Sequence, residues 1–96
     1  MLIDDLRQRK KEIETLARRY GAGRIRVFGS VARREETADS DIDLLVELPH
    51  GYDMFRQRLP LTSKLEEITG RHVDLIPEHE LNERIADFVR REAVNI

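Results

Sequence analysis

Two aspartates, Asp41 and Asp43, open the most apolar stretch of the chain, Asp41 to Leu48, which also holds Ile42, Leu44, Leu45, Val46 and Leu48. Residues i and i+2 of a strand face the same side, so both carboxylates project together, roughly 7 Å apart. Two negative charges at one end of a sheet face repel each other. A divalent cation between them removes the repulsion, and carboxylate oxygen is the donor that Mg2+ prefers. Taken alone, the pair is equally compatible with two solvated aspartates at a strand end.

A second feature precedes it. An alternating pattern over Arg24 to Phe28, with Ile25 and Val27 on one face and Arg24 and Arg26 on the other, reads as a strand. It runs directly into Gly29-Ser30. Glycine lets a backbone come close to a ligand. Free N–H groups at a helix start bind anions, phosphate above all, and a serine hydroxyl adds a donor. By itself the pair reads as well as an ordinary strand–turn–helix, with Ser30 as the N-cap of a short helix over Val31 to Glu35. It is not a P-loop, because no second glycine and no Lys-Ser/Thr pair follows. Together, however, the two features are complementary: one binds phosphate and the other binds the metal that bridges phosphates.

Ten residues, Val31 to Ser40, separate Ser30 from Asp41. Gly-Ser, ten residues, then Asp-x-Asp resembles the signature of the DNA polymerase β-type nucleotidyltransferase superfamily. The runs Phe28-Gly29-Ser30-Val31-Ala32-Arg33 and Ser40-Asp41-Ile42-Asp43-Leu44-Leu45-Val46 are similar to its minimal members, the MntA-like antitoxins encoded beside HEPN-domain toxins. The resemblance extends over nearly the whole chain in length and element order. It implies a two-layer α+β nucleotidyltransferase fold, with a small mixed sheet flanked by helices. It also implies a third carboxylate on a neighbouring strand, and Asp74 in His72-Val73-Asp74-Leu75-Ile76 is the match. On that basis Asp41, Asp43 and Asp74 are the expected catalytic and metal-binding residues, holding two Mg2+ ions, with Asp74 also the general base on the incoming hydroxyl. Two metals would clamp the attacking and leaving oxygens of an in-line displacement. Gly29, Ser30 and Arg33 are the expected nucleotide-binding residues, and ATP the expected substrate. Arg33 matches the family's arginine, and a solvated helix arginine is an equally good reading of it. Arg34 departs from the pattern, standing where the family has glycine, which places a side chain and a charge in a tight turn.

These residues need elements to position them. Leu2 to Tyr20 reads as one amphipathic helix, stopped by Gly21 and Gly23. Glu36 to Ser40 is a polar loop. Asp53 to Thr69 reads as helix, with Phe55, Leu59, Leu61, Leu65 and Ile68 inward, a kink or break at Pro60, and Gly70 as its stop. His72 to Ile76 reads as the third strand and Glu78 to Ala93 as the last helix, with Leu81, Ile85, Phe88 and Val89 inward. The order is αβαβαβα, in a single domain over residues 1–96. His50, His72 and His79 lack metal-ligand spacing and read as ordinary surface or loop residues.

Composition limits the function. Lys and Arg number 17 against 19 Asp and Glu, for a net charge of −2, which argues against direct nucleic-acid binding. No cysteine is present, which removes thiol catalysis and cysteine-built metal sites. No apolar run approaches the ~20 residues of a membrane helix, and the start is no signal peptide, so a cytoplasmic protein is expected. The resemblance points to an enzyme that transfers a nucleoside monophosphate, AMP from ATP, to a tyrosine hydroxyl of a cognate HEPN toxin. The alternative is a binding module, an antitoxin that masks its HEPN partner with its chemistry weak or lost.

Overall fold

The computed structural model describes every residue from Met1 to Ile96. Helix α1 (Leu2–Gln8) buries Ile3 and Leu6, and α2 (Lys10–Arg19) buries Ile13, Leu16 and Ala17. The single helix expected over Leu2 to Tyr20 is therefore interrupted, at Arg9. Lys10 stands where an unbroken helix would continue the Ile3–Leu6 stripe, and the turn at Arg9 keeps it exposed.

Strand β1 (Ile25–Phe28) leads straight into a one-turn helix, α3 (Gly29–Ala32). The expected helix over Val31 to Glu35 thus starts earlier, and Ser30 is not its cap. Phe28 already holds the extended cap backbone, so Ser30 falls inside the first turn. Strand β2 (Ile42–Val46) follows the polar loop. Next comes a π-helical turn, Met54–Arg58, whose N-cap Asp53 accepts the N–H groups of Phe55 and Arg56 at 2.9 Å each. Helix α4 (Leu59–Thr69) continues from it. The break expected at Pro60 is this change of helix type. Pro60 itself lies in the first turn of α4, where its missing N–H is no loss. Gly70 ends α4 in the left-handed conformation, as expected.

Strand β3 (Val73–Pro77) and a 3-10 turn (Glu78–Glu80) precede α5 (Glu83–Glu92). The last helix therefore begins later than Glu78. Leu81 returns to extended backbone, and Asn82 caps the restart by accepting the Arg84 N–H at 2.9 Å. A fourth strand, β4 (Val94–Asn95), absent from the αβαβαβα reading, closes the chain.

The sheet order is β3-β2-β1-β4. β2 and β3 are parallel, while β1 is antiparallel to both β2 and β4, so the sheet is mixed. One face carries Ile25, Val27, Ile42, Leu44, Val46, Val73 and Leu75, packed under α1, α2 and α4. Val27, Ile42 and Leu61 have no exposed surface, and each such side chain contributes ~1.5–3 kcal/mol of burial. On the other face Leu45 is buried, as are Ala86 and Val89 of α5. There Arg26 of β1 pairs with Glu78 at 3.0 Å.

Four expected core residues lie outside. Phe55 is 80% exposed and Leu59 47%. Phe55 and Leu59 are four residues apart, but Leu59 lies roughly 160° around α4 from Leu61, so the face that buries Leu61 and Leu65 leaves Leu59 outside, and Phe55 lies in the π turn before it. Ile85 and Phe88 are also exposed; Val89 faces inward as expected, and Ala86 is buried with it. Both pairs have the same i, i+3 spacing, and the small Ala86 lets α5 approach closely. No helix is long and apolar enough to cross a membrane.

Candidate active site

The parallel pairing of β2 with β3 assembles the acidic residues. Asp43 stands opposite Asp74 in the register. One step earlier, the Ile42 N–H donates to the His72 carbonyl at 3.0 Å, so Asp41 lies beside His72. Donor atoms of Asp41, His72 and Asp74 all lie within 4.8 Å of one another. The His72 Nδ1 is 3.4 Å from an Asp41 oxygen and 3.8 Å from an Asp74 oxygen. His72, expected to be an ordinary surface histidine, is thus part of the cluster. No ligand spacing marked it, because its partners come from two strands.

Asp43 is set deeper than its neighbours. Burial first, then the charge and hydrogen bond of Asp74, then the Asp41 charge, hold its carboxyl above the usual carboxylate range. It also packs on the backbone opposite: Phe28 pairs with Asp43 across the β1–β2 ladder. A Cβ on Gly29 would lie 2.2 Å from the Asp43 Oδ2, and Gly29 has a φ of +72°. Residue 29 must therefore be glycine on two counts, a left-handed turn and a close approach.

Gly29, Ser30 and Arg33 follow β1 on the same edge of the site. The Gly29 N–H donates to Glu92 Oε2 at 3.1 Å, and Arg33 pairs with the other oxygen of Glu92 and with Glu35 at 3.3 Å. These pairings raise the Arg33 pKa, Glu92 first. The structure thus ties Arg33 to carboxylates of its own chain. Glu92, at the end of α5, places a carboxylate on both the Gly29 N–H and Arg33. Sixty-three residues separate it from Gly29, so nothing local in the sequence announced it.

Two arginines frame the site. Arg71 Nη1 donates to the carbonyls of Thr37, Ala38 and Ser40 at 2.9, 3.4 and 3.1 Å, fastening the loop that delivers Asp41. Arg34 has a φ of +58°, a conformation that favours glycine. Its guanidinium donates to both Asp4 oxygens at 2.9 and 3.0 Å. The departure at Arg34 is therefore accommodated by a forked ion pair to α1, which holds the Asp4 carboxyl down at about 2.

The donor set suits a divalent cation: two half-exposed carboxylates and an imidazole converge, and a third carboxylate sits behind them against like charge. A surface groove of about 430 Å³, lined by Ile13, Ala17, Ile25 and Ile96 among others, lies at the far end of β1, away from the acidic cluster.

Residues 7–95 match the nucleotidyltransferase domain family. The chain is 38% identical over 87 residues to the protein adenylyltransferase MntA of Thermococcus cleftensis, an overlap of 91% of this chain and 84% of that protein. It superposes with a TM-score of 0.84 on a solved structure described as a minimal nucleotidyltransferase, at 41% identity, covering 97% of this chain and 94% of that one. A toxin–antitoxin solved with AMP-PNP shares the fold at a TM-score of 0.73 and 24% identity, over 88% of this chain and 69% of that one. The family model and the overall superposition agree on one conclusion: the chain belongs to the nucleotidyltransferase domain family, among its minimal, MntA-like members.

Proposed function

We propose that this nucleotidyltransferase moves AMP from ATP to a protein hydroxyl, a tyrosine of a HEPN-domain toxin, and so acts as the antitoxin of that partner. The observation that carries this is the convergence of Asp41, Asp43 and Asp74 next to the Gly29 turn. The MntA relative, a protein adenylyltransferase, supports the nucleotide and the class of acceptor. Use of ATP supports a cytoplasmic reaction.

In the reaction the tyrosine oxygen attacks the α-phosphorus. The bond from that phosphorus to the bridging oxygen breaks, and pyrophosphate leaves. Asp74, on the open side of the site, takes the hydroxyl proton. Asp41, Asp43 and Asp74 would hold divalent ions, for which Mg2+ is the default with carboxylate donors; bound there, the ions neutralise charge developing on the phosphates. Gly29 N–H and Ser30 Oγ orient the phosphate tail, once Glu92 yields the Gly29 N–H and frees Arg33. Positioning and charge neutralisation account for most of such catalysis.

One observation favours the second reading, a masking antitoxin with weak chemistry: Glu92 occupies both the Gly29 N–H and Arg33. Incubation with α-labelled ATP, Mg2+ and the neighbour-encoded partner separates the two. Label on a partner tyrosine, with loss of toxicity, is the expected result. Neutralisation by an Asp41→Asn/Asp43→Asn variant that transfers no label would establish masking instead.

A further inference from the structure

His72 lies between two carboxylates of the site, and nothing in the family's acidic pattern accounts for it. Its Nδ1 faces Asp41 and Asp74, at 3.4 and 3.8 Å. Its Nε2 faces Glu66, at 3.9 Å. Glu66 is itself fixed by accepting the Val73 N–H at 3.0 Å. The backbone of His72 is fixed too, by the Ile42 N–H on its carbonyl at 3.0 Å. At 3.9 Å Glu66 is beyond hydrogen-bond length from Nε2, but it stands on the side where a carboxylate orients a metal-binding histidine, and it leaves Nδ1 turned to the aspartates.

The spacing suits one ion. Ligands at ~2.2 Å from an octahedral ion stand ~3 Å apart when adjacent and ~4.4 Å apart when opposite. The two Nδ1 separations fall between these values, and the donor atoms of Asp41, His72 and Asp74 all lie within 4.8 Å of one another. Nitrogen changes which ion is preferred. Mg2+ takes oxygen ligands and gives up its waters reluctantly. Both ions suit carboxylates, but Mn2+ belongs to the first-row transition series, of which it is the weakest nitrogen binder, so one imidazole shifts the balance between these two ions towards Mn2+.

We propose that His72 is a nitrogen ligand to the ion held by Asp41 and Asp74, so that this position selects Mn2+ over Mg2+. The proposal rests on the reading of these aspartates as metal ligands and names which ion they take.

The test uses the whole nucleotide-free protein and Mn2+ alone, observed by electron spin resonance, with Mg2+ as competitor. His72→Asn replaces the ring nitrogen with an oxygen donor of similar reach. The side chain is largely exposed, so the variant keeps its fold, which its melting temperature checks. Bound Mn2+ should show spin-echo modulation from a directly bonded ¹⁴N, absent in His72→Asn. The parent's Mn2+ affinity should fall ~10-fold or more in the variant, with Mg2+ affinity changed less than threefold. Bound Mn2+ without the nitrogen modulation, or an unchanged Mn2+-to-Mg2+ preference in the variant, overturns the role of His72 and leaves the aspartate ligands standing. Failure of the parent to bind Mn2+ overturns the inference, and with it the assignment of a nucleotide-independent metal site to Asp41 and Asp74. The transfer assay with labelled ATP tests the activity independently.

Discussion

Gly29 and Asp43 are packed so closely that a Cβ on residue 29 would stand 2.2 Å from the Asp43 Oδ2. Gly29→Ala therefore meets both a left-handed φ, itself worth ~1 kcal/mol, and a carboxylate that must move. The expected outcome is a domain destabilised by ~2–3 kcal/mol and a transfer rate lowered at least ~100-fold, since a shift of about an ångström at a reacting centre has that effect. Thermal unfolding and label transfer measure the two. In a Gly29→Ala/Asp43→Ala double variant the clash is gone, so part of the stability should return and none of the activity.

Asp43→Asn should behave in the opposite way. Burial and the charges of Asp74 and Asp41 raise the folded pKa of Asp43. The folded state thus holds this proton more firmly than the unfolded state does, and stability is lost as pH rises through the folded pKa. The penalty grows as pH rises and the folded carboxyl loses its proton. Removing the charge should leave the metal-free protein as stable as the parent or more so, by ~0.5–1 kcal/mol after allowance for solvent screening. Nearly all transfer should disappear, and binding to the partner should persist. A marked loss of metal-free stability would show Asp43 to be a structural hydrogen-bonding group and would remove it from the metal site.

Ser30→Ala should leave the melting temperature unchanged, within ~0.5 kcal/mol of stability, as for a substitution that removes no cap. Ser30 lies inside the first turn of α3, and no side chain caps that helix. Transfer should slow ~10-fold or more if the hydroxyl donates to phosphate in the transition state. Equal rates in parent and variant would leave phosphate orientation to Gly29 and Arg33.

The Asp4–Arg34 pair predicts an acid dependence. The guanidinium lowers the Asp4 carboxyl from 3.8 to about 2. A carboxylate with a depressed folded pKa stabilises above its unfolded pKa, and that contribution fades as pH falls through the folded value. The melting-temperature difference between parent and Asp4→Asn should be constant above pH ~5 and shrink between pH 3.8 and about 2. A difference that persists below pH 2 would mean that Asp4 acts other than through its charge. Arg34→Gly relieves the left-handed backbone and removes the same pair, so its acid profile should match that of Asp4→Asn. Its transfer rate should equal the parent's, because the Arg34 fork is spent on α1.

The residues proposed for the chemistry were legible in the chain itself. Gly29-Ser30 follows β1 and Asp41-Ile42-Asp43 opens β2, and the period-two pattern shows where each strand ends and which side chains share a face. The same local signals located three of the four strands, the Gly70 stop and the inward faces of α1 and α2. Their reach is a turn or two of chain.

What lies beyond that reach was decided by packing. His72 and Asp74 meet Asp41 and Asp43 only through the parallel register of β2 and β3, which the crossover through α4 sets. Glu92 arrives at Gly29 from the opposite end of the chain, and Arg34 finds Asp4 across thirty residues. Strand β4 is two residues long, too short for any pattern, and exists because the β1 edge offers it hydrogen bonds. Phe55 and Phe88 had helical spacing in their favour and still face outward. Spacing specifies that a face is apolar, and only the surface it meets determines which of two equivalent faces is buried.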